Sequence, residues 1–205
     1  MSKGLGAKGP SLAGIFRMTI KEQTKPVFEE VEKEKDEWVV TNTAQDFTFD
    51  ILDISFDTYE YRGDTIDKMI ISCDIDREAP VKLEMNVKNG IAQSIINTLS
   101  SVENLPGRTI SLNVYTSKSG YASVYIEVDG EKAGWKYDGD AVKGIYGKPE
   151  RWVAMAKKHI TPQFENFTPA QPEDVFAQPV EMEEPQRTKP TPEPVEENTE
   201  DDLPF

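Results

Sequence analysis

The stretch Phe47-Thr48-Phe49-Asp50-Ile51-Leu52-Asp53-Ile54-Ser55-Phe56 decides the fold. Apolar and polar residues alternate on both sides of Ile51 and Leu52, and the alternation slips by one residue at that pair. A period of two predicts a half-buried strand. A slip of one residue indicates a β-bulge, which bends a strand strongly. We therefore expect one long, bent strand over residues 47–61.

Two more strands and a helix are predicted after a turn at Gly63 and Asp64. Apolar residues alternate in two further runs, and then their spacing changes to the period of a helix, which Pro106 and Gly107 end. The predicted inward-facing residues are Met69, Ile71, Cys73 and Ile75 in the first run, Val81, Leu83, Met85 and Val87 in the second, and Ile91, Ile95, Leu99 and Val102 in the helix.

The last predicted strands form a hairpin around a loop at residues 117–120. Their inward-facing residues are Ile110, Leu112 and Val114, then Ala122, Val124, Ile126 and Val128. Three strands, one helix and two strands is the order of an OB-fold, a partly open five-stranded barrel with its helix between the third and fourth strands. The sequence therefore predicts a β-rich, OB-fold-like domain over residues 38–160, although other small barrels and α+β sheets share this order.

The regions that flank this domain differ in charge and composition. The 205-residue chain has a formal net charge of -14. Residues 161–205 hold 12 acidic and 2 basic residues, and 9 of the 14 prolines follow His159, whereas residues 1–27 hold 5 basic residues and one acidic residue. We expect a basic N-terminal arm and charged loop over residues 1–37, and a disordered Pro/Glu-rich tail over residues 161–205. Phe164, Phe167 and Phe176 leave open a short stretch that packs back on the domain.

The sequence offers few groups for catalysis or metal binding. Cys73 and His159 are the only cysteine and histidine, so a disulfide within the chain and a multi-cysteine metal site cannot form. A nucleophilic serine or cysteine usually needs a histidine base, and His159 borders the expected tail. We expect no catalytic residue, no metal and no cofactor. Asp50, Asp53 and Asp74 leave a metal-dependent nuclease as an alternative.

The sequence contains no membrane or export signal that we recognise. It has no run of about 18 apolar residues, and no charged segment followed by an apolar one and a cleavage site. We therefore expect a soluble, cytoplasmic protein with no membrane contact.

Aromatic and basic side chains share the predicted solvent side of several strands. Aromatic rings stack on nucleobases with little regard to sequence, and nearby lysines or arginines neutralise phosphates. This combination favours binding of single-stranded nucleic acid, although cross-strand tyrosines also simply stabilise sheets. The candidate residues on these strands and their turns are Tyr59, Tyr61, Arg62, Lys68, Lys82, Tyr115, Lys118, Tyr121 and Tyr125.

Further candidates lie outside these strands. On a strand predicted over residues 132–137, Lys132 and Lys136 face outward, which turns Trp135 inward, but the phase of a short edge strand is easily misjudged. Tyr146 is in a glycine-flanked loop that could close over a nucleic acid, and Arg17 and Lys21 belong to the basic N-terminal region. These further candidates are Trp135, Lys136, Tyr146, Arg17 and Lys21.

The chain finishes with Asp201-Asp202-Leu203-Pro204-Phe205. The Phe205 ring suits an apolar pocket and the carboxylates suit lysine or arginine, so these residues, here called the acidic tip, make a compact peptide ligand. The acidic tip resembles the C-terminal peptide of bacterial and phage single-stranded DNA-binding proteins. The resemblance is specific at these five residues and only architectural over residues 38–137.

This resemblance implies a function and a set of partners. It implies a protein that binds and protects single-stranded DNA, without strong sequence preference, during DNA replication, recombination and repair. The acidic tip would recruit a polymerase, helicase, primase or recombinase in the cytoplasm of a bacterial cell or a phage-infected host. A homo-oligomer, an adaptor β-domain that binds protein alone, and the nuclease described above remain open.

Overall fold

The computed structural model describes residues 15–21, 25–35, 37–76, 79–145 and 147–168. Within these ranges the protein is mainly β, with three short α-helices and one 3₁₀ helix, Thr161–Gln163. None of the helices described is long and apolar enough to cross a bilayer. The elements are β1 (Ile15–Lys21), β2 (Lys25–Glu34), β3 (Glu37–Ala44), β4 (Asp46–Tyr61), β5 (Asp64–Asp74), β6 (Val81–Asn86), α1 (Gly90–Leu99), β7 (Thr109–Thr116), β8 (Ala122–Val128), β9 (Glu131–Lys132), α2 (Gly139–Lys143) and α3 (Pro149–His159).

All nine described strands belong to one mixed sheet in the order β3-β2-β1-β6-β5-β4-β7-β8-β9. The predicted strands are present as β4 to β8, with α1 between the third and the fourth of them. A closed five-stranded barrel would require β6 to pair with β8. Instead β6 pairs in parallel with β1, and β8 pairs with β9. The prediction of a β-rich fold is confirmed, whereas the five-stranded barrel is wrong because the sheet continues beyond both β6 and β8.

The predicted slip in the longest strand is confirmed. The pairing of β4 with β5 shifts register between Ile51 and Asp53. The beginning of β4, from Asp46 to Asp50, pairs with β7, and from Asp50 onward β4 pairs with β5 on both sides of the shift. β4 therefore joins two halves of the sheet, which we call the long half (β3, β2, β1, β6 and β5) and the short half (β7, β8 and β9).

The predicted inward faces are also largely confirmed. Val102, Ala122 and Val124 are only partly buried. Burial raises the pKa of the Cys73 thiol well above its ordinary value, so this thiol stays protonated and unreactive. The predicted residues that are fully buried are Met69, Ile71, Cys73, Ile75, Val81, Leu83, Met85, Val87, Ile91, Ile95, Leu99, Ile110, Leu112, Val114, Ile126 and Val128.

Phe47 packs the two halves of the sheet against each other. It is 0% exposed, and its ring centroid lies 4.7 Å from that of Phe16 on β1 and 5.5 Å from that of Phe28 on β2. Neither β1 nor β2 neighbours β4 in the sheet. The sheet must therefore curl so that the inner faces of its two halves meet at this aromatic cluster.

The N-terminal region differs from the predicted arm and charged loop. Where it is described it forms β1, β2 and the start of β3, and it extends the sheet. The apolar residues Phe16, Met18 and Phe28 reach the core, while Glu29 and Glu30 are buried as well. The Thr19 hydroxyl donates a hydrogen bond of 2.9 Å to Glu29 Oε2. The run of charged residues over 29–37 hid most of β2, because the buried Glu29 and Glu30 break the expected alternation of apolar and polar residues.

The domain also extends further toward the C-terminus than residue 160. Phe164 is buried, and its ring makes an edge-to-face contact of 6.5 Å with Phe167. The Gln163 side chain accepts a hydrogen bond from Leu105 N and donates one to Val102 O. Packing of Phe164 and Phe167 on the domain, one of two readings of the sequence, is confirmed. The tail predicted over residues 161–205 is described only as far as residue 168, and the rest of it, with Phe176, lies outside the described residues.

Replacing Phe47 by alanine tests the role of the aromatic cluster. Loss of a fully buried phenylalanine costs about 3–5 kcal/mol through lost burial and the cavity left behind. We expect Phe47→Ala to lower the free energy of unfolding by that amount in urea titrations followed by circular dichroism. Tyr121→Ala is the control, because Tyr121 is 75% exposed and such changes stay within about 0.5 kcal/mol. Equal stability of the two variants would contradict the role given to Phe47.

Candidate nucleic-acid interface

The hairpin of β7 and β8 presents three tyrosines to solvent. The register pairs Asn113 with Tyr125 and Tyr115 with Ser123, so both rings lie on the face opposite the buried Leu112 side. Tyr115 and Tyr125 are exposed, and Tyr121 in the loop is the most exposed of the three. The placement predicted from alternation is therefore found in the structure.

Trp135 is exposed, contrary to the inward orientation expected for it. β9 ends at Lys132, so the strand alternation that turned Trp135 inward does not reach it. The segment over residues 133–138 leaves the sheet, and the Trp135 side chain is 65% exposed. An exposed tryptophan beside exposed tyrosines forms an apolar surface that is available to a partner.

A buried asparagine fixes the backbone that carries Trp135. Asn97 on α1 is 4% exposed. Its Nδ2 donates to Tyr137 O at 2.8 Å, and its Oδ1 accepts from Tyr137 N at 3.0 Å. On the other side of Trp135, the Ser101 hydroxyl shares its single proton between Thr98 O at 2.7 Å and Gly134 O at 3.0 Å. Trp135 is therefore held outward on a segment tied to α1 at both ends.

These residues enclose a pocket of about 460 Å³, which we call the aromatic pocket. Lys132 Nζ lies 6.0 Å from the Tyr125 ring centroid, within cation–π range. Loss of hydration and the neighbouring Glu127 carboxylate raise the pKa of Tyr125, so its hydroxyl stays protonated at neutral pH. The pocket is lined by Thr98, Tyr115, Val124, Tyr125, Ile126, Lys132, Ala133, Gly134, Trp135 and Asp138.

A second group of predicted residues lies on the long half of the sheet. A pocket of about 370 Å³ there, which we call the β1–β5 pocket, is lined by side chains that include Arg17, Tyr59 and Lys68. Lys68 forms an ion pair of 3.3 Å with Glu84, which also lines the pocket. Because a carboxylate partly neutralises Lys68, this pocket offers less positive charge than the sequence pattern predicts.

Two arginines of this group stack on aromatic rings. The Arg17 guanidinium carbon lies 4.5 Å from the Trp38 ring centroid, and that of Arg62 lies 5.1 Å from the Tyr61 ring centroid. Trp38 and Tyr61 are both exposed. The stacked guanidinium covers one face of each ring, so a base stacking on Tyr61 has only the other face unless Arg62 moves.

The structure separates the predicted residues into two groups. The turn between β4 and β5, with Tyr61 and Arg62, follows the C-terminal end of β4, whereas β7 pairs with the N-terminal end of β4. The aromatic pocket and the β1–β5 pocket share no lining residue. The candidate residues that line these pockets therefore lie on two separate surfaces.

The remaining predicted residues lie apart from these pockets or outside the described residues. Lys82 on β6, Lys118 in the β7–β8 loop and Lys136 after β9 are exposed and line neither pocket. Outside the described residues lie Tyr146, the Lys21 side chain and the tip residues Asp201, Asp202, Leu203, Pro204 and Phe205.

The carboxylates considered for a metal-dependent nuclease do not form a metal-binding group. Asp50 faces Asp74 across the β4–β5 register, and Asp53 lies beyond the register shift. Asp50 Oδ1 accepts a 2.6 Å hydrogen bond from Thr109, and Asp74 Oδ1 accepts one of 2.9 Å from Asp76 N. Within the ranges that the structure describes, no cluster of three or more His, Cys, Asp or Glu side chains is arranged to hold a metal ion.

The aromatic pocket contains residues that were not among the sequence candidates. Lys132 lies on the predicted outward side of its strand. The aromatic residues near it in the sequence are a signal that could have identified it as a candidate. Thr98 looks like any residue of a buried helix, and Asp138 like any residue before a glycine. Thr98 reaches the tyrosines because α1 packs beside β8, and Asp138 does so because the neighbouring Tyr137 is bonded to Asn97 on α1.

Comparisons with protein-family models, curated proteins and solved structures found no match to this chain. The function must therefore be argued from the chemistry of the residues themselves.

Replacing Asn97 by alanine tests how Trp135 is held. The change leaves Tyr137 N and O without their partner, and each unpaired buried group costs about 1–3 kcal/mol. We expect faster hydrogen exchange of the Tyr137 amide and lower stability. Gln93→Ala is the matched control, since the equally buried Gln93 side chain on α1 donates to Val87 O instead. It should lower stability without changing exchange at Tyr137. Unchanged exchange in Asn97→Ala would show that Asn97 does not hold this segment.

Proposed function

We propose that this protein binds single-stranded DNA, with the aromatic pocket as the main contact surface. The observation that carries the proposal is the fixed, exposed Trp135 beside Tyr115 and Tyr125. Flat rings that face solvent stack on unpaired bases whatever the base, which suits binding without strong sequence preference. Bases in a duplex are already stacked on each other and cannot reach such a pocket, so single strands are the favoured ligand.

The rigidity of the pocket contributes to binding. Ordering flexible side chains on association costs free energy, and a segment that is already held in place loses little. The hydrogen bonds from Asn97 and Ser101 hold the Trp135 backbone before any ligand arrives. Tyrosine and tryptophan also provide a large contact area with only two side-chain torsions to fix. The stacking free energy therefore contributes to affinity with little loss to ordering.

Phosphate contacts would come from lysines near the rings. Lys132 lines the aromatic pocket, while Lys118 and Lys136 are exposed on the hairpin loop and on the segment after β9. Asp138 and Glu127 lie in the same region, so the local charge is mixed. Stacking thus supplies a larger share of the affinity than phosphate neutralisation does. The β1–β5 pocket, with Tyr59, is a second contact for a longer strand.

The cellular role follows from the resemblance described above. A protein of this kind protects single-stranded DNA during replication, recombination and repair. The acidic tip recruits replication and repair proteins in the cytoplasm of a bacterial cell or a phage-infected host. This part of the proposal rests on the sequence of residues 201–205 and on no structural feature of the described domain.

Replacing Trp135 by alanine tests the proposal directly. Stacking is worth about 1–3 kcal/mol per base, so we expect Trp135→Ala to weaken binding of oligo-dT by about 5- to 150-fold. The intrinsic fluorescence of the wild-type protein should be quenched on titration with oligo-dT. Of the other two tryptophans, Trp152 is buried and Trp38 stacks with Arg17 on the long half of the sheet.

Trp38→Ala is the control for this experiment, because Trp38 is an exposed tryptophan outside the aromatic pocket. It should keep the quenching and most of the affinity. If oligo-dT neither quenches nor binds the wild-type protein, or if duplex DNA binds equally well, the proposal is wrong. An adaptor domain that binds only protein would give the first of these results.

The salt dependence of binding tests the phosphate contact assigned to Lys132. Each phosphate neutralised on a single strand contributes about 0.7 to the slope of log K against log salt. We expect Lys132→Gln to reduce the magnitude of that slope by about 0.7. Lys157→Gln should leave the slope unchanged, since Lys157 is an exposed lysine on α3 that lines neither pocket. The same slope in both variants would remove Lys132 from the interface.

A further inference from the structure

The two ends of the described sheet differ in how they are protected. One end is β9, which has only two residues, Glu131 and Lys132, both charged. Short strands and charged side chains are the usual means by which an edge avoids pairing with another chain. The other end is β3, which has eight residues and no charged side chain after Glu37. The protection that β9 has is therefore missing from β3.

The exposed side chains at the beginning of β3 are apolar. Trp38, Val39 and Val40 are consecutive and are 44%, 37% and 44% exposed. Successive side chains of a strand point to opposite faces, so β3 presents apolar groups on both faces at the edge of the sheet. The Arg17 guanidinium stacks on the Trp38 ring, which leaves the other face of that ring uncovered by Arg17. Pairs of an aromatic and a β-branched side chain stabilise neighbouring strands.

The hairpin that joins β2 to β3 determines which backbone groups point outward. Glu34 pairs with Glu37 across a two-residue turn, and the pair that closes such a turn is joined by a backbone hydrogen bond. The direction of these bonds alternates along each strand of an antiparallel pair. The N–H and C=O of Val39 therefore face β2. Those of Trp38 and Val40 face away from the sheet, where no described strand lies.

A β-bulge limits how much of β3 can pair with another strand. The pairing with β2 skips Thr41, because Val40 and Asn42 face consecutive residues of β2. Beyond the bulge, the Thr43 N–H donates to Asn42 Oδ1 at 2.9 Å. A bulge bends the edge away from a partner strand, and an amide with a local acceptor has less to gain from one. The segment suited to pairing is therefore the first half of β3, which ends at Val40.

We propose that β3 is a self-association edge, through which two copies of this protein pair antiparallel about a two-fold axis at Val39. In this register Trp38 lies opposite the partner's Val40, Val40 lies opposite the partner's Trp38, and the two Val39 residues meet at the axis. Trp38 and Val40 are the residues whose N–H and C=O groups point outward, so each Trp38–Val40 pair exchanges both of its backbone hydrogen bonds. This proposal does not depend on DNA binding.

A second copy of the chain is the occupant that suits this edge. Two-fold pairing brings identical segments together, and like charges directly opposite each other destabilise a strand pair. Residues 38–45 contain no charged side chain, so self-pairing avoids this cost. The same symmetry sets each Trp38 ring against a valine and not against the partner's Trp38 with its stacked arginine. A two-fold contact also uses both edges at once, so assembly stops at the dimer.

The contact is small, so the dimer is weak. One short strand pair buries less than the roughly 800 Å² per partner of a stable complex, and two chains of net charge -14 repel each other. We expect a dissociation constant on the order of 10–100 µM. Salt screens the repulsion, so raising sodium chloride from about 0.05 to 0.5 M should tighten the dimer, whereas it weakens binding to DNA. DNA titrations made well below this protein concentration would measure the monomer.

Sedimentation equilibrium of the full-length protein without DNA measures this association. We expect the mean mass to rise from 23.1 kDa toward twice that value as the protein concentration increases. Val40→Pro removes an N–H that faces away from β2, so the monomer keeps its strand pairing while the dimer weakens about 10-fold or more. Thr43→Pro is the matched control, because Thr43 is exposed on the same strand beyond the bulge. It should dimerise as the wild type does.

Amide hydrogen exchange tests the register in the unmodified protein. The Trp38 and Val40 amides should exchange several-fold more slowly at protein concentrations above the dissociation constant than below it. The Val39 amide faces β2 in monomer and dimer alike, so its exchange should not change. Slower exchange at Val39 alone would place the wrong residues across the axis and overturn the proposed register.

Three results of the sedimentation experiment would overturn the self-association edge. A protein that stays monomeric far above the expected dissociation constant does not pair with itself, and β3 is then left for a strand of another protein. A Val40→Pro variant that folds and dimerises as well as the wild type places the interface elsewhere. Growth into assemblies larger than the dimer contradicts a closed two-fold contact.

Discussion

The packing of Phe47 against Phe16 and Phe28 is the constraint on which the rest of the structure depends. It is possible because β4 shifts register after Ile51, which allows one strand to belong to both halves of the sheet. Once the halves are packed face to face, their polar sides are turned to solvent. The tyrosines of β7 and β8 are exposed for this reason, and α1 packs beside β8, where Asn97 can reach the segment that carries Trp135.

The sequence predicts the middle of the fold well and its edges poorly. In β4 to β8 the strands alternate with a period of two, interrupted only at the register shift after Ile51, and their inward residues are apolar, so local pattern and tertiary packing agree. In β2 they disagree, because Glu29 and Glu30 are buried in the sheet and the charge run reads as a loop. Trp135 was misplaced for a related reason. Strand alternation predicts an inward Trp135 only if β9 continues to that residue. Because β9 ends at Lys132, the alternation does not determine which way the Trp135 side chain points.

The candidate interface shows the same division between local and long-range information. Alternation was enough to place Tyr115 and Tyr125 on the solvent side, because exposure on a strand is a local property. It was not enough to group them. Tyr59 has an equally suitable pattern, yet it lies on the part of β4 that pairs with β5, in a pocket that shares no residue with the aromatic pocket. Thr98 and Asp138 come from two further elements, and no sequence spacing relates them to the tyrosines.

The exposed Trp135 is unfavourable in the protein alone, because its side chain loses the burial that it could gain elsewhere. Local costs of this kind are typical of functional sites, where a ligand covers the ring. The net charge of -14 bears on the nature of that ligand interaction. A protein this acidic gains little from long-range attraction to a polyanion, so the proposed binding to DNA would depend on close contacts. Stacking acts only at short range, and the aromatic pocket supplies exposed rings for it.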